Sequence, residues 1–508
     1  MPAAHRLRTS ALAAAGLLAG LAATPAPAQT LKIALRQDAD ILDPTLARTY
    51  IGRIVFAGLC DKLFDIDANL NVVPQLATGY KWDNPTTMTI TLRQGVTFQD
   101  GEKMDAAAVA YSLDRHRTMQ GSFRRGELSP VQSVEVVDPL TVRLHLKSPY
   151  SPLIYQLTDR SGMVLAPDVA KKEGKDFGLH PVCAGPFSFH ERVAQDHVTL
   201  DRFPGYWNAK DIHFDHVTYV VLPDSSVRLA NLQSGTVDMA EQVVPSDVAA
   251  VKADPKLEVV AGDGLGYAGI AINLANGKRA DTPMGHDWRV RKAFELSIDR
   301  NALIQVVYNG MFTATAQGVA ANSPYHDAGL KPPGRDIARA KALLKEAGVT
   351  TPYTLELTAP NQPDVAQTAE VIQSMAKDAG FDIKIRLMEF ASSLKAEVAG
   401  ASEAYLIGWS CRAGPDGHAY GGFHSGGPFN TSHYLNKDMD ALLDKARAVS
   451  DVAERKALYS KVFRLAENEL PYMYLWTTRN VMGLNRKVQG FVMVPDGMIR
   501  LQGMHFAQ

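Results

Sequence analysis

WDNPTTMTITLRQGVTFQDGEKMDAAAVAYSLDR, residues 82–115, changes its periodicity part-way, and that change decides the fold class. In its first half Met88, Ile90 and Leu92 alternate with Thr87, Thr89, Thr91 and Arg93. A period of two places the apolar set on one face of a strand and the threonines on the other. Gln99-Asp100-Gly101 then supplies turn chemistry, with Gly101 free to take a backbone conformation that other residues avoid. Asp105 stands where a side-chain oxygen caps a helix, and Val109, Ala110 and Leu113 recur behind it at helical spacing.

Strand and helix also alternate elsewhere. Leu31 to Leu35 reads as a short opening strand. Thr218 to Leu222 is a strand that runs into Pro223-Asp224. Asp224 is placed to cap a helix from Ser225 to Gln233, Gly235 ends it, and Val237-Asp238-Met239 begins the next strand. A second such unit follows, with strand Thr354 to Leu357, helix Asp364 to Lys377 stopped by Gly380, and strand Phe381 to Met388. Units of this kind build mostly parallel sheets covered by helices, so two of them far apart predict two α/β lobes. Residues 75–177 read differently, as strand, helix and the alternating strand Thr141 to Leu146, which predicts an inserted α+β subdomain. At 508 residues the chain is too long for one core, and two or three domains are expected.

The wording of the opening segment closely resembles the signature of the large solute-binding proteins that serve peptide and nickel ABC importers, solute-binding family 5. Further blocks carry the same resemblance: AGPFSF with RFPGYWN (184–189 and 202–208), VRLANLQSGTVDM (227–239), WRVRKAFELSIDRNALIQVVYNG (288–310), and the long helical block from Tyr434 to Pro471. The resemblance implies a type II periplasmic-binding-protein-like fold, with two α/β lobes joined by crossover strands and an extra α+β subdomain in lobe I. The expected division is a signal peptide at 1–28, lobe I at 29–74, 178–262 and 480–508, the inserted subdomain at 75–177, and lobe II at 263–479. The implied function is the capture of a small solute, a peptide-like compound or organic acid, in the cleft between the lobes. The partners would be an inner-membrane ABC permease and its ATPase, with the binding protein a monomer. Hinges are expected near Gly262 to Gly266 and Arg479 to Gly483. An exported enzyme using the same cleft, or a metal-chelate binder or sensor of the same fold, are the alternatives.

Composition agrees with an ordinary globular protein. Lys plus Arg (53) nearly balance Asp plus Glu (54), so no basic excess points to nucleic acid. His5, Arg6 and Arg8 precede an apolar run from Ala11 to Ala23 that is too short to span a bilayer, and Ala26-Pro27-Ala28 fits cleavage before Gln29. Periplasmic export is therefore expected, and an oxidising compartment favours pairing among the three cysteines. Cys60 and Cys183 fall in segments placed in the same lobe, so they are the expected bridge and Cys411 the free thiol.

Several literal motifs fail on context. Gly264 to Gly269 satisfies GxGxxG, but Ile270 to Leu274 behind it alternates like a strand, whereas a phosphate site needs a helix to start inside the motif. No GxSxG, HExxH or P-loop sequence occurs. His418, His424 and His433 thicken toward the end of lobe II, where a metal site competes with scattered polar residues in a glycine-rich loop; the spacing matches no ligand pattern. No metal and no cofactor is expected. Arg289, Arg291 and Lys292 read as a solvated helix face, with Arg291 paired to Glu295.

The segment IGWSCRAGPDGHAYGGF, residues 407–423, carries specificity in the resemblance. Peptide-binding relatives have there a tryptophan followed by Asp-Pro, whose aspartate takes the ligand's α-ammonium. Trp409 and Pro415 match, but Gly414 stands in the aspartate's place, and Asp416 could substitute only if the loop shifts. Without that carboxylate a buried ammonium has no countercharge. Arg412 could hold a ligand carboxylate bidentately, or be a structural ion pair with Asp416 or another acid. Trp409, Tyr420 and Tyr267 offer aromatic faces, and Gln37 and Asp38 follow the first strand near the implied cleft.

Overall fold

The computed structural model describes residues 28–507, so the expected signal peptide lies almost wholly outside the described residues. Among the described residues no helix is long and apolar enough to cross a membrane.

The segment at 82–115 folds as its periodicity dictates. Thr87–Leu92 buries Met88, Ile90 and Leu92. Gly101 has φ +90°, and the Asp105 carboxylate accepts from the Ala108 N–H at 3.0 Å at the head of the helix Ala106–Thr118. The strand sits in a separate antiparallel sheet, ordered Ala77–Asn84, Thr87–Leu92, Thr141–Leu146, Val131–Asp138. Val109 and Leu113 of the helix join its core.

All the larger strands outside that unit join one eleven-stranded mixed sheet. At one end Phe381–Met388, Tyr353–Pro360 and Ala404–Trp409 run parallel, with the helix Pro363–Lys377 linking the first two. At the other, Thr30–Leu35 lies between His216–Val221 and Met239–Ala240, parallel to both. The intervening helix Ser225–Ser234 is capped by Asp224 and stopped by Gly235 at φ +76°. Two long antiparallel strands, Leu257–Ile272 and Tyr472–Asn485, join the two ends.

Their pairing comes in two stretches, 257–263 against 479–485 and 267–271 against 472–477. Between them Gly264, Leu265 and Gly266 have no ladder partner. A Cβ on Gly266 would lie 2.6 Å from the Trp409 carbonyl oxygen and 2.7 Å from the Thr478 hydroxyl, so only glycine lets the backbones approach this closely. The literal GxGxxG is thus an irregularity in a continuous strand. Separate cores lie on either side: Ile33, Phe56, Leu200, Tyr219 and Leu484 in one, Ile270, Phe294, Leu355, Phe381 and Met473 in the other. They are called lobe I and lobe II below, with the antiparallel unit attached to lobe I.

Cys60 and Cys183 form a disulfide, and Cys411 is free and buried. Arg291 corrects the reading of a solvated basic face. It is buried and donates to the carbonyls of Met284, Gly285 and Glu469, while Glu295 pairs instead with Lys292 and Arg300, each at 2.6 Å. Helix-surface spacing placed Arg291 near Glu295, but the helix packs that face inward, where unpaired carbonyls claim the guanidinium.

Candidate functional site

The loop after Ala404–Trp409 leaves lobe II and meets lobe I. Arg412 supplies the ion pairs of that contact. Its Nη2 donates to Glu127 Oε1 at 2.6 Å, and its Nε lies 2.9 Å from Asp159 Oδ2. The carboxylates act against burial: desolvation disfavours the Arg412 charge, but Glu127 and Asp159 outweigh it and raise its pKa. Of the two roles that the sequence leaves open for Arg412, its contacts describe the ion pair, with acids some 250 or more residues away in place of Asp416.

Asp416 is held elsewhere. Arg447 takes both of its oxygens, at 2.7 and 2.9 Å, and Tyr150 of lobe I donates to it at 3.1 Å. It cannot serve as an ammonium ligand in place of Gly414 while Arg447 holds it. The Tyr420 ring, expected to face a ligand, lies 3.1 Å (centroid) beneath the Arg447 guanidinium and stacks on His424 at 4.2 Å. Asp38 is also occupied: it is buried and bound to Arg192 at 2.9 Å and to the Gln195 N–H at 3.0 Å. Gln37 is half-buried, and its side chain bonds to no described residue. Trp409 is half-buried, edge-on to Phe429 at 4.9 Å.

Gly414 is where sequence and structure converge. A Cβ there would sit 3.1–3.4 Å from Tyr155 of lobe I, so the space an aspartate side chain needs is filled by an aromatic ring. Absence of the carboxylate and occupancy of its place are two aspects of one packing solution.

Behind the loop, Tyr267 packs edge-on to Tyr472, Tyr474 and His418 at centroid distances of 4.9–5.5 Å. Tyr267 therefore belongs to a buried aromatic wall. Among the described residues, both His418 ring nitrogens and the Tyr474 hydroxyl are buried without a hydrogen-bond partner. Burial, and then Arg412, push the His418 pKa down to about 3. The unfolded histidine titrates near 6.5, so the unfolded state takes the proton first as pH falls. Stability from neutral His418 is complete above about pH 6.5 and is lost progressively toward pH 3. We expect the His418 imidazole NMR signals to stay constant from pH 8 to pH 5; a midpoint near 6.5 would show the ring open to solvent. His418, His424 and His433 do not converge, and among the described residues no group of three or more metal-ligating side chains forms.

The sequence reading missed the lobe I side of this junction. Arg53, Arg124 and Arg160 are buried around the same two acids. Arg53 Nε donates to Asp159 at 3.1 Å, Arg124 Nη1 to Glu127 at 2.8 Å, and Arg160 Nε lies 3.8 Å from Asp159. Ser161 donates its hydroxyl to Glu127. These residues lie on separate elements, so no local spacing marks them.

The family model for bacterial extracellular solute-binding proteins, family 5 middle, matches residues 71–431. The chain belongs to that family. It is 32% identical over 500 residues to a glutathione-binding protein of Salmonella paratyphi A, covering 96% of each chain. Among solved structures it is similar to an Agrobacterium tumefaciens binding protein in complex with agropinic acid (25% identity, TM-score 0.83, 94% and 99% of the two chains). A Helicobacter pylori ABC transporter-associated periplasmic binding protein in complex with the peptide STSA shares the fold at 24% identity, with TM-score 0.85 over 94% and 98%. This member of family 5 is a substrate-binding component of ABC import for small solutes, and its family binds solutes rather than transforming them. The two-lobed α/β architecture with its inserted sheet is the family fold.

Proposed function

We propose that this family 5 protein captures a small peptide-like organic acid in the cleft between its lobes and delivers it to an inner-membrane permease driven by an ATPase. It works in the periplasm as a monomer, after cleavage behind Ala28. The lobe division at 262/263 and 479/480, with residues 75–177 as the insertion, is part of the same reading. The unpaired irregularity at Gly264 to Gly266 is its hinge. Trp409, Gln37 and Arg412 are the ligand contacts, Arg412 meeting the solute while it bridges the lobes.

The observation that carries the ligand class is Gly414 against Tyr155. A free N-terminal ammonium at this loop would be desolvated with no carboxylate beside it, because Asp416 is bound to Arg447. That costs several kcal/mol, enough to abolish micromolar binding. The end facing the loop is then anionic or neutral. Relatives named for glutathione and agropinic acid support an acidic, peptide-related solute. Isothermal titration of the mature protein should show glutathione-like acids binding well above ordinary dipeptides, and the ligand should be recovered chemically unchanged. Tight binding of unmodified dipeptides would overturn the class.

A further inference from the structure

Charge balance at the junction goes one step further, and the step rests on the solute-binding reading above. Four guanidiniums, Arg53, Arg124, Arg160 and Arg412, surround two carboxylates, Glu127 and Asp159. Arg53, Arg124 and Arg160 are 6%, 3% and 5% exposed, and the Arg412 side chain 16%. Two positive charges are left without a countercharge.

The surroundings do not supply one. Asp65 and Asp496 are matched by Arg500 and Lys62, Asp416 by Arg447, Asp43 by Arg115, and Glu241 by Arg36. His116, which faces Arg124, is held neutral by burial, its pKa lowered to about 4. Some arginine N–H groups are satisfied by carbonyls: Arg124 Nη2 and Arg160 Nη1 donate to Ala47, at 3.3 and 3.0 Å. Others are not. Both terminal nitrogens of Arg53, Nη2 of Arg160 and Nη1 of Arg412 donate to no described residue, and among the described residues the Nε groups of Arg124, Arg160 and Arg412 are buried without a hydrogen-bond partner.

A network kept for stability alone tends toward neutrality, because an uncompensated buried charge is costly. Unused N–H forks on both sides of a closing cleft are the donor arrangement that bidentate carboxylate recognition requires. We propose that this arginine cluster is a two-carboxylate site, closed over a small dicarboxylate whose acid groups supply the two missing negative charges. Arg53 and Arg160 hold the solute from lobe I, and Arg412 meets it from lobe II. The ligand class narrows from an organic acid to one with two ionised carboxylates.

The test uses the mature protein purified from periplasm without unfolding. Native mass spectrometry identifies the solute it carries, and calorimetry compares glutathione, its glycine ethyl ester and dialanine. The expected solute carries two or more ionised acid groups, and esterifying one carboxylate of glutathione weakens binding by about 100-fold. Arg53→Gln should weaken dicarboxylate binding at least tenfold while leaving the ligand-free melting temperature level or raised, since it relieves repulsion; Arg53→Lys should recover part of the affinity. A carried solute with one acid group or none, or an ester that binds as tightly as its parent, overturns the two-carboxylate inference and leaves the organic-acid reading standing. A marked fall in the ligand-free melting temperature of Arg53→Gln overturns it too, because the arginine is then structural. Failure to carry or bind any small acid would sink both readings.

Discussion

Replacing Cys60 and Cys183 together by alanine should cost about 5 kcal/mol of stability, the largest single effect expected in this chain. The bridge closes a loop of sequence separation 123, and the chain-entropy estimate for a loop of that size is about 5 kcal/mol. The native side is well prepared for it. Cys60 follows directly on the helix Tyr50–Leu59, and the Cys183 N–H donates to Gln99, whose amide donates back to the Leu59 and Phe187 carbonyls at 2.7 and 2.8 Å. The bridge therefore joins the two segments of lobe I that flank the inserted unit, and the Gln99 side chain fastens that unit to the same place. Alanine is the better replacement, since serine would bury two hydroxyls. Urea unfolding of the oxidised and double-alanine proteins measures the difference. A loss below about 1 kcal/mol would show that the unfolded chain is already constrained without the bond.

The second large effect is on motion. Arg412→Ala should leave the ligand-free protein open, with a larger radius of gyration in small-angle scattering, while barely lowering its melting temperature. Each acid keeps a lobe I partner when Arg412 is gone: Glu127 keeps Arg124, and Asp159 keeps Arg53. What disappears is the ion bridge between lobes. Arg412 donates one charged hydrogen bond across the lobes, to Glu127, and such a bond contributes about 1.5–3 kcal/mol, so its loss shifts the closed–open balance by about 10- to 150-fold. Other contacts between the lobes stay in place, among them Tyr150 to Asp416, Ser151 to the carbonyls of Arg447 and Val449, and the packing of Tyr155 against Gly414 and Ala413. Identical scattering curves for Arg412→Ala and the parent, with and without solute, would show that Arg412 has no part in closure.

Local chemistry made much of the architecture legible in advance. The alternation of Met88, Ile90 and Leu92, the caps at Asp105 and Asp224, and the helix stop at Gly235 all depend on residues within a turn or two of each other. The same locality disposed of GxGxxG, because the residues behind it alternate as a strand. The departure at Gly414 was equally readable, since one loop contains the whole comparison.

The candidate site was only half legible, and the reason is distance along the chain. Arg412 pairs with Glu127 and Asp159, Arg192 with Asp38, and Arg447 with Asp416. In each case a nearer or equally plausible partner exists in sequence, and packing chose another. A guanidinium reaches whichever carboxylate the folded chain brings within about 3 Å in a desolvated place, and periodicity carries no record of that choice. By itself the sequence determined the strands, helices and caps, because each is a short-range property of backbone and side chain, while the departure at Gly414 was read from the resemblance to peptide-binding relatives. Only the tertiary structure decided that Tyr155 fills the place opposite Gly414 and that four arginines share two acids between the lobes. Those are outcomes of volume and charge summed over residues that meet only when the chain is folded.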